Sequence, residues 1–225
     1  MVTVLTRDDT ADAALVHGLL VGDEYGLTAL GGRTINGVGL DIGAHIGTIS
    51  LALLADHPGL SMVAVEPLAE NCDLIRRAGA SWLAQGRLIV EEAAAGAPDD
   101  PIMLDVSWGY THHDGTERSY VDQNRYVGGM WKDGWEGQTV TVPRVTLAAL
   151  ALEHAPQGFI LTKTDAEGAE YAFLSDPKAN RLAGLIIGEW HDGGPERITA
   201  LLEPTHTVTI REDHGGTGIF WAVPR

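Results

Sequence analysis

Apolar residues in this chain fall into short, nearly unbroken blocks, and most blocks are followed by a stretch of helical period. Residues 38–42 and 62–66 hardly alternate between apolar and polar positions. That is the pattern of strands covered on both faces. A third block, Leu88-Ile89-Val90, reads the same way. Between them, residues 45–54 and 69–83 show helical spacing, with Leu74, Ile75, Ala78 and Trp82 on one face of the second. A short amphipathic helix is predicted at 11–20, where Ala14, Leu15 and Leu19 share a face. Downstream, residues 145–153 read as a helix, 159–164 and 185–190 as strands with a helix between them, and 195–202 as a helix capped by Asp192 or the neighbouring glycines. Strand and helix alternate, which calls for a parallel sheet with helices on both faces. The tail differs. Residues 205–211 and 218–223 are two strands joined by a short polar, glycine-rich connection, the signal of an antiparallel pair.

One region breaks the alternation. Residues 107–137 hold Trp108, Trp131, Trp135, three tyrosines, His112 and His113 among many Gly and Asp. The segment is too long for an ordinary connection and too aromatic to read as disordered. It is expected to be a substrate-covering insertion within a single domain spanning 1–225, flanked by short strands at 102–106 and 138–142.

Composition narrows the class. A chain of 225 residues can bury one sizeable core. It carries 15 Lys and Arg against 31 Asp and Glu, a formal net charge of −16. A protein that grips phosphates needs a basic face, so nucleic acid is not expected as a partner, whereas a cationic ligand is compatible. No apolar run reaches the roughly 18 residues that a membrane span requires. Cys72 is the lone cysteine, so an internal disulfide is ruled out, and the start of the chain lacks the pattern of a secretory signal. A cytoplasmic location is the expectation.

The chemistry concentrates at the strand ends. After the first central strand come Gly43, Ala44, His45, Ile46 and Gly47, and the second ends in Glu66-Pro67. A glycine turn lets backbone N–H groups approach a ligand, and a later carboxylate accepts bonds from two ribose hydroxyls. This arrangement suits a nucleoside-containing cofactor. Three residues separate Gly43 from Gly47, which is not the dinucleotide spacing and favours S-adenosylmethionine (SAM) over NAD.

Lys163-Thr164-Asp165-Ala166-Glu167-Gly168-Ala169-Glu170 and, further on, Glu189-Trp190-His191 complete the pattern. In this order the segments resemble the FkbM family of SAM-dependent methyltransferases, whose marks are D-x-G-A-N-x-G, E-P, K-I-D-x-E-G-A-E and E-x-H. The resemblance runs from about Tyr25 to His191. His45 stands for the usual Asn, Thr164 for an aliphatic residue, and Ala148 where the family usually has Asp.

The resemblance implies an α/β, Rossmann-like, doubly wound and mostly parallel sheet with a C-terminal antiparallel hairpin. It implies cofactor contacts at Tyr25, Asp41, Gly43, His45, Gly47, Glu66, Pro67, Glu92, Ala93 and Asp165. Within that set Asp41 suits the ammonium of SAM, Glu66 the ribose, Glu92 and Ala93 the adenine, and Asp165 the sulfonium. His45 either touches the cofactor or caps the helix. For catalysis the candidates are His191 as base, Asp165, and Lys163, the last being either a buried ion-pair partner or a catalytic cation. Histidine is the side chain most easily poised as a base near neutral pH. Substrate contacts are expected from Trp108, His112, His113, Trp131 and Glu189. Adjacent histidines on a strand point to opposite faces, so His112 and His113 do not suggest a metal site. A divalent cation at Asp165, Glu189, His191 and Asp192 stays open but is not favoured.

The implied reaction is O-methylation of a hydroxyl on a small molecule such as a sugar, polyketide or peptide natural product, in secondary metabolism and antibiotic biosynthesis. N-methylation of an amine and a non-catalytic SAM-binding module are the alternatives. A homodimer is left open.

Overall fold

The apolar blocks become the central strands of one sheet. The computed structural model describes residues 2–8, 10–97, 139–191 and 193–225, with the strand segments 103–105, 110–111, 117–118 and 125–126. In chain order the first half comprises α1 (Asp12–Leu20), β1 (Gly37–Ile42), α2 (Thr48–Asp56), β2 (Leu60–Val65), α3 (Ala69–Ala78), α4 (Ala80–Ala84), β3 (Leu88–Glu91) and β4 (Ala94–Ala95). Short strands follow: β5 (Met103–Asp105), β6 (Tyr110–Thr111), β7 (Glu117–Arg118), β8 (Arg125–Tyr126), β9 (Thr139–Thr141) and β10 (Arg144–Val145). The rest is α5 (Leu147–His154), β11 (Leu161–Thr164), α6 (Glu170–Phe173), α7 (Pro177–Asn180), β12 (Leu185–His191), α8 (Gly194–Leu202), β13 (His206–Ile210) and β14 (Thr217–Pro224).

The main sheet has seven strands in the order β13-β14-β12-β11-β1-β2-β3. The five strands from β12 to β3 are parallel, and β14 runs antiparallel to both β12 and β13. The tail hairpin therefore forms as its turn signal requires. The strands expected around the aromatic segment also form, as β5 and β9, and pair antiparallel. Among the described residues no helix is long and apolar enough to cross a membrane.

Two apolar layers cover the sheet. Leu40, Ile42, Val63, Val65, Phe159, Trp190 and Phe220 pack on one face. Leu60, Met62, Ala64, Leu161, Ile187 and Ile219 pack on the other, with Leu51, Leu54 and Tyr25. Successive strand residues point to opposite faces, so burial on both sides demands the unbroken apolar runs of the sequence.

Several helix limits differ from the periodicity. The helix expected from 45 begins at Thr48, because His45 (φ 50°) and Gly47 (φ 85°) are left-handed. The helix expected over 69–83 divides at Gly79, where a side chain would meet Leu51, Leu88 and the carbonyl of Ile75. The connection from β11 to β12 holds two single-turn helices, α6 and α7, instead of one longer helix. Helix α5 starts at Leu147 because the Thr146 side chain accepts from Ala149 N at 3.2 Å, a regular N-cap.

Candidate functional site

A cavity of about 390 Å³ opens where β1, β2, β11 and β12 end, lined by Gly43, Glu66, Asp165 and His191 among others. Strand β1 lies between β2 and β11, so the chain leaves β1 toward one side and returns on the other. Open α/β sheets bind ligands outside the carboxyl ends of their strands at such a switch point.

The glycine turn forms one wall, but its glycines are required by the protein itself. Gly43 has φ 68°, and a Cβ there would collide with the backbone carbonyl of Asp165. A Cβ on Gly47 would press on Ile75 of α3 at 3.0 Å, and Gly47 does not line the cavity. His45 does line it. Its backbone N–H donates to Glu66 Oε2 at 2.9 Å. Its ring Nε2 lies 3.3 Å from an Arg7 guanidinium nitrogen and 3.6 Å from Asp12 Oδ1. Asp12 is fully buried and bonded to Arg7 through both side chain and backbone, so the N-terminal segment clasps the turn. From that segment Leu15 and Leu19 reach the cavity.

Glu66 and Asn71 form the polar part of the next wall. Glu66 Oε1 accepts from Leu68 N and Asn71 Nδ2, while among the described residues Oε2 accepts only from His45 N. Burial pushes the Glu66 carboxyl up to about 7 in spite of those three bonds. Asn71 Oδ1 is buried and has no donor among the described residues. A carboxylate with a spare lone pair beside an orphaned amide oxygen suits the hydroxyls of a ribose. Pro67, Ala93, Ala94 and Ala95 complete this wall with small apolar surface, which suits a flat ring. Glu92 corrects an expectation: it turns outward, is 44% exposed, and sits 3.4 Å from Arg76. The strand-end alanines, not this glutamate, face the cavity.

Asp41 is also corrected. Alternation along β1 puts it on the face opposite Ile42, under α2, where its carboxylate accepts from Ser50 N at 3.2 Å and Ser50 Oγ at 2.7 Å. It is fully buried and does not line the cavity. Its register partner on β11 is Lys163, whose Nζ lies 3.5 Å from Asp41 Oδ1 and 3.6 Å from Asp165 Oδ2. The same ammonium donates to the carbonyl of Gly43 at 2.8 Å. Burial would lower the Lys163 pKa, but Asp165 and Asp41 outweigh it and hold it above the usual value. The ammonium is thus engaged by Asp41, Asp165 and the Gly43 carbonyl at once, which is the geometry of the buried ion-pair reading.

Asp165 reaches the cavity from the end of β11. Tyr25, buried beside it, donates its hydroxyl to Asp165 Oδ2 at 2.8 Å. Burial disfavours the Asp165 charge, but Lys163, His191 and the Tyr25 bond more than compensate and keep the carboxyl below its usual range. An ionised carboxylate therefore faces the cavity.

His191 lies at the end of β12, and its Nδ1 is 3.0 Å from Glu170 Oε1. Glu170 is fully buried and also accepts from Ala166 N and Gly168 N. Burial opposes charge on the ring. The Glu170 bond and the carboxylates of Glu170, Glu167 and Asp165 outweigh it and raise the pKa to about 9. At neutral pH the expected base is thus an imidazolium with its proton already in place. Its Nε2 lies 3.6 Å from Glu167 Oε2 and 3.7 Å from Glu189 Oε1. Asp165, Glu167 and His191 come close enough together for a cation site, but here the imidazolium itself is the cation among the carboxylates.

Trp108, His112, His113, Trp131 and Asp192 lie outside the described residues. Sequence reasoning missed Asn71, Glu24 and Thr217 as cavity residues. Glu24 adjoins Tyr25, which was a usable signal. Asn71 lies one helical turn beyond Glu66-Pro67, and Thr217 reaches the cavity only because β14 pairs with β12 opposite His191.

A five-strand parallel core, an antiparallel hairpin at its edge and a nucleoside-sized cavity at the switch point define a Rossmann-like methyltransferase fold. The chain belongs to the FkbM methyltransferase family: the profile described as "Methyltransferase FkbM domain" matches residues 41–212. SAM is the cofactor of this family and fold. No curated protein matches the sequence. Among solved structures, a conserved hypothetical protein of Streptococcus pyogenes is similar, with TM-score 0.50 and 13% identity over 90% of this chain and 95% of that one. Precorrin-6y C5,15-methyltransferase from Geobacter metallireducens GS-15 gives TM-score 0.48 and 13% identity over 100% and 94%. The C-terminal domain of the Rhodobacter capsulatus precorrin-6Y C5,15-methyltransferase gives 0.46 and 13% over 97% and 92%.

Proposed function

We propose that this protein transfers the methyl group of SAM to a hydroxyl on a small molecule, such as a sugar, polyketide or peptide natural product, in cytoplasmic secondary metabolism. The observation that carries this reading is one cavity that joins a ribose-type wall, Glu66 and Asn71, to the carboxylates at the ends of β11 and β12, Asp165 and Glu189. SAM, when bound, supplies an activated methyl group. Glu66 and Asn71 hold its ribose, and Ala93 to Ala95 leave room for its base. Asp165 offers fixed negative charge to a cationic centre, held in place by Tyr25 and Lys163. The protein's remaining work is alignment of the acceptor and removal of its proton.

A second reading is N-methylation of an amine. Glu24, Asp165, Glu167 and Glu189 give the cavity an acidic lining that favours a cationic acceptor. Calorimetry with SAM, followed by S-adenosylhomocysteine release over a panel of hydroxylated and amine acceptors, tests both. Turnover with hydroxyl acceptors supports the proposal, and turnover with amines alone replaces it. SAM binding with no turnover on any acceptor would leave a binding module.

A further inference from the structure

The geometry points to Glu189 as the residue that takes the acceptor's proton, with His191 as a positioning residue that holds and charges its surroundings. This rests on the methyltransferase reading above. Glu189 and His191 are two residues apart on β12, so both side chains leave the strand on the side of the cavity, while Trp190 between them is buried in the core. The two other candidates at the ends of β11 and β12 are engaged. Asp165 Oδ2 accepts the Tyr25 hydroxyl and faces Lys163, which makes it a weak base. His191 already carries its proton and is bonded to buried Glu170. Glu189 accepts no hydrogen bond among the described residues. Its Oε1 lies 3.7 Å from His191 Nε2, and its side chain is 19% exposed, within reach of a ligand.

Among the described residues the titratable groups that face Glu189 are Asp165 and Glu167 from the loop after β11, Glu24 and Tyr25 from the N-terminal segment, and His191 from its own strand. Burial and then Asp165 push its carboxyl up to about 7, with Glu24 and Glu167 adding and His191 pulling the other way. A base whose pKa lies near the working pH is best placed for proton transfer.

In the step, the acceptor oxygen forms a bond to the methyl carbon. The carbon–sulfur bond breaks and leaves its electron pair on sulfur. The hydroxyl proton passes to a Glu189 carboxylate oxygen and later to water. The sulfonium charge is lost, and the released proton carries the balancing charge.

The test is a pH titration of protein labelled with 13C at the glutamate side-chain carboxyl, in complex with S-adenosylhomocysteine, with Glu189→Gln to assign the signal. Glu189 should titrate near neutrality, and His191→Gln should move its midpoint to higher pH. A midpoint at an ordinary value of about 4–5, or one that ignores His191→Gln, overturns the proposal. Calorimetry with the same ligand separates the two levels of inference. Wild-type protein that does not bind it defeats the methyltransferase reading, whereas a large loss confined to Glu189→Gln makes Glu189 a cofactor ligand and overturns the proposal alone. With an acceptor that wild-type protein methylates, Glu189→Gln should reduce turnover about 10²–10⁴-fold. His191→Gln should reduce it less and shift the acid limb of kcat/KM upward.

Discussion

A side chain on Gly43 would collide with the carbonyl of Asp165, so these two residues fix how closely the ends of β1 and β11 approach. The contact lies within the protein, beneath the cavity. Glycine at this position, which the sequence suggested was reserved for the cofactor, is first a condition of the fold.

Gly43→Ala should therefore lower stability as well as binding. The positive φ alone costs a non-glycine residue about 1–3 kcal/mol, and the overlap with Asp165 adds to it. Urea denaturation measures the loss. An alanine variant with wild-type stability and weakened SAM binding would restore the simpler view that the glycine only makes room for ligand.

Glu66 predicts a pH dependence of cofactor affinity. Without ligand its carboxyl is protonated below about 7. Ribose hydroxyls donate to the ionised form, so binding draws the pKa down and releases a proton below neutrality. Affinity should rise with pH, by up to about tenfold per unit, and level off above pH 7. Calorimetry in buffers of different ionisation enthalpy detects the proton, and Glu66→Gln should flatten the dependence. Glu66→Ala should cost about 1.5–3 kcal/mol of binding. Unchanged affinity in both variants would remove Glu66 from the site.

Lys163 is expected to be structural. Lys163→Met leaves the buried Asp41 without its cation, and such a change typically costs about 3–5 kcal/mol. Adding Asp41→Asn should return part of that loss, since the uncompensated charge is then gone. A double-mutant cycle by urea denaturation checks the coupling. Strict additivity would mean that the 3.5 Å pair contributes nothing.

His191 makes a stability prediction with a definite sign. Its pKa is about 9 in the folded protein against an ordinary 6.5. The stabilisation is therefore fully present below about pH 6.5 and is lost as pH rises through 9. His191→Gln should lose on the order of 3 kcal/mol of ionisation-linked stability near pH 6, and that pH-dependent part of the difference should vanish above about pH 10. A difference that instead grows with pH would show that the ring is neutral in the folded state, and would return it to candidacy as a base.

The sequence by itself determined the layered α/β architecture, because unbroken apolar strands such as Met62–Val65 are stable only when both faces are covered. It also placed Gly43, His45, Glu66, Pro67, Ala93, Asp165, Glu189 and His191 around one cavity, since parallel strands all deliver their carboxyl ends to the same edge. It could not decide the roles within that set. Asp41 and Asp165 look alike as strand-end acids, yet one lies within β1 and is folded under α2 against Ser50, while the other lies just past the end of β11 and faces the cavity. His191 looked like a base until the chain brought Glu170 to its ring, because proton affinity depends on which charges become neighbours through space. For the same reason Asn71 and Thr217, from α3 and β14, became part of the site only when helix and hairpin packed against the sheet.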